Sequence, residues 1–474
     1  MNEDTTKGAA GVSPTSAAEA MHQKRYSLVT ALCMIIGICI GSGIYFKADN
    51  VLIATGGSVE LGVAMFCIAS AVIVFGGLAL SVYAARSEGT GGVLAYADEY
   101  LPRPLARIFS WNFAILYLPG IAAVLCWVVG VYACMVFGLA GSFAQQMLIG
   151  VVYLLFCAAW NVLAPRLAGW FQNVTTFIKI LPLLAVGAAG VVFGAAGWGG
   201  TAPGLGLGWT GATATAAATA AGAAPTHLGW LLAAAPIAFS FDGWTISASI
   251  APELKNARRN LPIALSVAPL VILALYLLYF VGLSTMLGPA AVMEAGDASL
   301  GLFFARLFGS GAQTLPNVVA LISVMGTVNG VVLSAMRMPY ALAQRGDIPG
   351  AAAVGRVNGR LGFPVASAIV GVALSLFWMA AHAAVTMLGL LPNGDISELA
   401  VSFNMLLTAV LLLRVLGLPV GEVGALRGRV APVIAALGCV FVASSGLMEP
   451  VRWAIIGFYA LVLAGFTIWR AHAR

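Results

Sequence analysis

Long apolar runs recur along this chain. The stretch from 27 to 54 already exceeds the roughly 20 residues that cross a hydrocarbon core. Runs of that length limit the fold to a buried helix or a membrane span. Their number decides between the two, helped by a composition that is 61% hydrophobic and 8% charged. A soluble domain carries about 25% charged residues. The sequence therefore predicts an all-α membrane protein of about twelve transmembrane helices. A membrane β-barrel would show alternating segments of about ten residues, and these are absent from the sequence.

The spans are expected near 27–54, 60–85, 105–137, 144–163, 168–194, 229–254, 261–287, 313–344, 364–386, 396–416, 430–447 and 450–470. Two short amphipathic pieces lie between them, at 91–101 and 299–309. The first 25 residues are polar and small and do not read as a cleaved secretory signal. Residues 1–25 are expected to be a cytoplasmic tail, and the Gly/Ala/Thr-rich stretch 196–228 an extracellular loop without lysine or arginine. Placing the N-terminus in the cytoplasm puts 19 of the 23 lysines and arginines inside. The positive-inside rule favours that orientation, with both termini cytoplasmic and the chain multi-pass in the cell inner or plasma membrane. The net charge of +6 follows from this loop asymmetry, and no nucleic-acid partner is expected.

The first span is weakened at its middle by Gly41-Ser42-Gly43, although glycine costs about 1 kcal/mol against alanine inside a helix. Small residues also serve close helix packing, so this tract alone is ambiguous. The sixth span is interrupted in the same way at Asp242-Gly243, about 200 residues later. The two breaks lie five spans apart. That odd number sets two halves upside down relative to each other, 26–195 and 229–416, with 417–474 left over. Interrupted spans at matching positions of two halves are the sequence mark of a secondary-transporter site.

Lipid cannot satisfy freed backbone groups, so an unwound segment must line a cavity or lie within protein. Unwinding at Gly41–Gly43 frees N–H groups that suit a carboxylate. The helix end at Cys39 and Ile40, with Phe239, Ser240 and Asp242 in the second break, frees carbonyls that suit an ammonium. Together they would hold an α-amino acid by its zwitterionic backbone, with Gly243 and Thr245 beside it.

These residues lie in motifs with a familiar pattern: "IGSGIY" (40–45), "GGVLAYADEY" (91–100), "FSFDGW" (239–244), "PELKNARRNLPIAL" (252–265), "GTVNGVVLSAMRMPYALAQRGDIP" (326–349) and "SFNMLL" (402–407). The chain resembles the amino acid–polyamine–organocation superfamily, and within it the bacterial L-type amino acid transporter branch. The resemblance covers residues 25 to 470. It implies a LeuT-type five-plus-five inverted repeat with helices 1 and 6 broken, alternating access and sodium-independent exchange of neutral L-amino acids. Proton-coupled uptake or a cationic substrate is the alternative. It also implies that Gly41, Ser42 and Gly43 hold the substrate carboxylate, that the Cys39, Phe239 and Asp242 carbonyls hold its ammonium, and that Phe239 is an aromatic gate. Animal relatives are linked to a heavy chain through a cysteine between spans three and four. Residues 137–146 contain none, so no disulfide-linked heavy chain is expected.

Two charges lie deep within the spans. Lys179 sits halfway along the fifth, where a lysine costs about 2.5–3.5 kcal/mol at the bilayer centre. In relatives the matching lysine occupies the place of a sodium ion, which predicts ties to the first span near Gly37 and to the eighth through Ser323. Asp242 either faces a wet vestibule as a solvated residue beside the break, or titrates or attracts cationic substrates. Asn329 and Asn404 either line the site or satisfy neighbouring helices. The four histidines and seven cysteines form no ligand cluster in the sequence, and no metal or cofactor is expected. The clustered acid–base groups that a membrane enzyme requires are likewise missing.

Overall fold

The computed structural model describes residues 27–41, 43–46, 48–87, 92–195, 237, 239–246, 248, 254–390, 396–448, 453, 457, 458, 460, 461, 464 and 465. Expectations for the tail 1–25, the loop 196–228, most of the sixth span on either side of 239–246, and most of the twelfth span lie outside these residues. The described residues are nearly all helical. Nine of their helices are long and apolar enough to cross a membrane, and the chain is a multi-pass membrane protein.

Local chemistry fixes where several helices begin and end. Ser27, Ser58 and Ser142 each accept a hydrogen bond from the backbone N–H three residues on, satisfying one of the donors left open at a helix start. The third span ends at Gly138 in the left-handed region, φ 62°. It is not regular throughout: Arg103–Trp111 leads into a π-helical turn, Asn112–Tyr117, before Leu118–Phe137. The fifth span is Pro165–Ala195, the seventh Ala257–Leu287 and the eighth Leu315–Gln344. The ninth and tenth are Val365–Met387 and Ser397–Leu413.

The eighth span is central, with 78% of its most apolar window buried, against 28% for the ninth. Exposed Ile369 and Phe377 give the ninth an apolar outer face, consistent with contact to lipid. The fifth and seventh spans approach so closely at Gly190 and Gly282 that a Cβ on Gly190 would lie 2.3 Å from the Gly282 Cα. Such small-residue contacts replace the hydrophobic drive that is lacking between helices in lipid. The amphipathic pieces are helices too, Val93–Tyr100 and Ser299–Phe308, joined by a further short helix, Pro289–Ala295. Pro289–Ala295 packs on Ala48–Ala54, the C-terminal part of the first span.

Beside the third span, Val93–Tyr100 buries Val93 through Ala97 and leaves the Asp98 side chain partly buried, 35% exposed. There Arg345 Nε meets Asp98 Oδ2 at 2.7 Å, and Arg107 Nε meets Asp347 Oδ1 at 3.0 Å. Burial pushes the Asp98 carboxyl up from its ordinary value, with Arg345 pulling the other way.

Candidate functional site

The first span is broken where its glycines fall. A helix runs Leu28–Cys39, Ile40 turns extended, a 3-10 turn covers Gly43–Phe46, and helix resumes over Ala48–Ala54. Ile40, at φ −77° and ψ 91°, is close to an inverse γ-turn, and Gly41 N–H donates back to the Cys39 carbonyl at 3.0 Å. A three-residue turn thus occupies the first N–H of the tract expected to offer free N–H groups. Ser42 lies outside the described residues.

The second break shows a 3-10 turn over Phe239–Phe241 and a turn over Asp242–Thr245. Gly243 has φ +93°, which side-chain-bearing residues rarely adopt. The Phe239 side chain is outside the description. Trp244 is fully buried, and its ring occupies the space that a Cβ on Gly76 would need.

The two breaks face one another. A Cβ on Gly243 would meet Ile38 Cγ2 at 2.7 Å, and one on Gly43 would lie 3.8 Å from Ser240 Oγ. The buried hydroxyl of Tyr276, on the seventh span, lies 2.7 Å from the Ser240 carbonyl and 3.3 Å from the Cys39 carbonyl. A hydroxyl has one proton, so the two carbonyls share it. The Cys39 oxygen also accepts the Gly41 N–H at 3.0 Å, so it already meets two donors, whereas the Ser240 oxygen retains capacity for another.

Below the first break, Lys179 is wholly buried. Its Nζ donates to the Gly37 carbonyl at 2.7 Å and to Thr327 Oγ1 at 3.1 Å. Thr327 Oγ1 lies 3.4 Å from the Ile40 carbonyl. Ser323, expected as the partner on the eighth span, sits one helical turn away, 3.5 Å from the Ile40 carbonyl. The hydroxyl that meets the ammonium is Thr327. Tyr45, just past the first break, hydrogen-bonds the Lys179 carbonyl at 2.5 Å, so span five grips span one on both sides of the interruption.

Asp242 is half-buried, and Tyr117 of the third span donates to its carboxylate, 2.9 Å from Oδ1 and 2.8 Å from Oδ2. Thr245 is buried beside the same turn. The two asparagines bond to neighbouring helices. Asn329 Oδ1 accepts from Asn161 at 2.9 Å and its Nδ2 donates to Gln172 at 3.1 Å, while Asn404 Oδ1 accepts from Asn112 at 3.2 Å. No group of three or more histidine, cysteine or acidic residues that could hold a metal occurs among the described residues.

Tyr117, Tyr276 and Thr327 were not singled out by sequence reasoning. Thr327 lies within the quoted "GTVNG" motif. The two tyrosines lie in apolar runs where nothing local distinguishes them from packing residues.

Residues 26–468 match the family described as "Amino acid permease". The chain is 26% identical over 357 residues to the serine/threonine exchanger SteT of Bacillus subtilis, covering 75% of this chain and 76% of that protein. It is 26% identical over 329 residues to the mouse b(0,+)-type amino acid transporter 1, covering 69% of this chain and 64% of that one. With the cystine/glutamate transporter of Pongo abelii the identity is 22%, over 69% of this chain and 62% of the relative. The match thus spans slightly less than two thirds of these mammalian proteins. The family and these relatives are transporters, not enzymes. With a match over nearly its whole length and a helical membrane architecture, the chain belongs to the amino acid permease family of the amino acid–polyamine–organocation superfamily.

Proposed function

We propose that this protein is a sodium-independent exchanger of neutral L-amino acids, of the L-type branch, working by alternating access. The observation that carries the reading is the apposition of the two breaks, with Tyr276 bridging the Cys39 and Ser240 carbonyls. A substrate ammonium would be held by the Cys39, Phe239 and Asp242 carbonyls, taking the place at Cys39 of one of its present donors, Tyr276 or the Gly41 N–H. Its carboxylate would lie along Gly41-Ser42-Gly43, on the Gly43 side, since the Gly41 N–H is turned back. Phe239 would close over the substrate. The Lys179 ammonium would stand where a coupling cation would otherwise hold the first span to the eighth, through Gly37, Thr327 and Ser323, which supports independence from sodium.

In this reading 26–195 and 229–416 form the two inverted repeats. The termini lie in the cytoplasm and the membrane is the cell's inner or plasma membrane. No disulfide-linked heavy chain is needed. Serine and threonine, named for the Bacillus subtilis relative, are the first substrates to try. Asp242 favours one second reading, a cationic substrate or proton coupling, because a carboxylate at the break would pair with either.

Competition at the purified transporter in proteoliposomes tests the site. Losing a charge-assisted hydrogen bond costs about 1.5–3 kcal/mol, or roughly 10- to 150-fold in affinity. Decarboxylated or esterified analogues should therefore inhibit serine uptake poorly. Equal inhibition by an amino acid and its amine removes the carboxylate from Gly41–Gly43.

A further inference from the structure

We propose that Tyr117 sets the charge preference of the site, by holding Asp242 and weakening its pull on cationic side chains. The inference rests on the reading of Asp242 as part of an amino acid site. Tyr117 is a positioning residue that acts through the carboxylate.

The geometry is specific. Tyr117 closes the π-helical turn Asn112–Tyr117 in the third span. Such turns are wider than the α-helix around them, shift the following side chains around the axis, and occur often at functional sites. Here the turn is pinned on two other sides. Asn112 Nδ2 donates to Asn404 Oδ1 on the tenth span at 3.2 Å, and Trp378 Nε1 of the ninth donates to the Ile115 carbonyl at 2.8 Å. The Tyr117 ring is fully buried and rests on Phe113, 5.2 Å between centroids. Its hydroxyl is thereby fixed on the half-buried Asp242 carboxylate.

A single O–H shared almost equally by two carboxylate oxygens, at 2.9 and 2.8 Å, lies near the bisector of the group. That arrangement draws the negative charge toward the third span. It has two consequences for a ligand between the breaks. The substrate carboxylate near Gly43 meets less repulsion from Asp242. An ammonium or guanidinium on the substrate side chain finds a carboxylate already engaged with a charge-assisted donor, which is among the stronger hydrogen bonds a protein makes. Neutral side chains lose nothing by comparison. Removing the hydroxyl alone should release the carboxylate and move selectivity toward cationic amino acids.

The test uses four full-length proteins in proteoliposomes: wild type, Tyr117→Phe, Asp242→Asn and the double variant. Initial uptake of radiolabelled lysine and serine gives a selectivity ratio, and melting temperatures establish folding. In Tyr117→Phe the lysine-to-serine ratio should rise about tenfold, the low end expected for a hydrogen bond to a charged group. The double variant should match Asp242→Asn, because the tyrosine acts only through the carboxylate. Asp242→Asn alone should lower the ratio by less than about threefold, since the native carboxylate is already held. An unchanged ratio in Tyr117→Phe overturns the proposal. So does an equal rise in the double variant, which would make Tyr117 a pocket wall. Should Tyr117→Phe yield no folded protein, a tenfold fall in Asp242→Asn alone still overturns it. Wild type that carries serine while the variants miss these ratios refutes this inference and leaves amino acid transport standing. Wild type that carries neither amino acid refutes both.

Discussion

The Lys179 ammonium lies 2.7 Å from the Gly37 carbonyl and 3.1 Å from the Thr327 hydroxyl. One side chain of the fifth span thus joins the first and eighth spans beside the break in the first. A residue shifts an equilibrium between two conformations only through contacts that differ between them. Lys179→Ala should impair uptake far beyond any fall in melting temperature. Apparent affinity should change more on one membrane face than on the other. Transport kinetics from both sides of oriented liposomes, with detergent stability of the same variant, check this. Wild-type kinetics on both faces would make Lys179 a structural residue alone.

Gly243 combines φ +93° with a missing Cβ whose place lies 2.7 Å from Ile38 Cγ2. Gly243→Ala should lose most uptake while still inserting, with a backbone cost of about 1–3 kcal/mol from the left-handed geometry. Adding Ile38→Ala relieves the clash and not the backbone strain. The pair should therefore recover part of the activity, measured as uptake per inserted transporter. No recovery would show that the apposition of the breaks does not limit function.

In the proposed reading Phe239 closes over the substrate. Phe239→Ala should slow turnover more than it weakens affinity, because closing steps set many turnover rates. Normal turnover with poorer affinity would make it a wall of the pocket.

Asp98 offers a pH test away from the site. Burial raises its carboxyl above the ordinary value despite Arg345 at 2.7 Å. A carboxyl with a folded pKa above its unfolded pKa binds protons more readily when folded. Its contribution to stability is thus least favourable above the folded pKa and improves as pH falls toward the unfolded one. The melting temperature of wild type minus that of Asp98→Asn should rise as pH is lowered from 7 toward the ordinary carboxylate range. A difference that falls with pH would mean the Arg345 pairing outweighs burial.

The helical architecture was readable in the sequence because apolar length and glycine interruptions are local signals. The helix beginning at Leu28 stops at Cys39, two residues before Gly41, and the amphipathic pieces at 91–101 and 299–309 are short helices. The π-helical turn at Asn112–Tyr117 ends shortly before Pro119, whose missing N–H leaves the Ile115 carbonyl open for Trp378, but its ties to Asn404 and Trp378, more than 250 residues away, were not readable. Distance in sequence also hid Tyr117 and Tyr276, whose hydroxyls matter only once the breaks are beside them. The choice of Ser323 in place of Thr327 is a one-turn error on the eighth span. Both hydroxyls fall on one helix face, and only the three-dimensional position of Lys179 separates them.

Exchange itself is tested most directly by uptake of radiolabelled serine into proteoliposomes loaded with unlabelled serine or left empty, with and without sodium. The account predicts uptake that depends on the internal amino acid and is unchanged when sodium is replaced by potassium. Equal accumulation in empty and loaded vesicles, or a requirement for sodium, would contradict it.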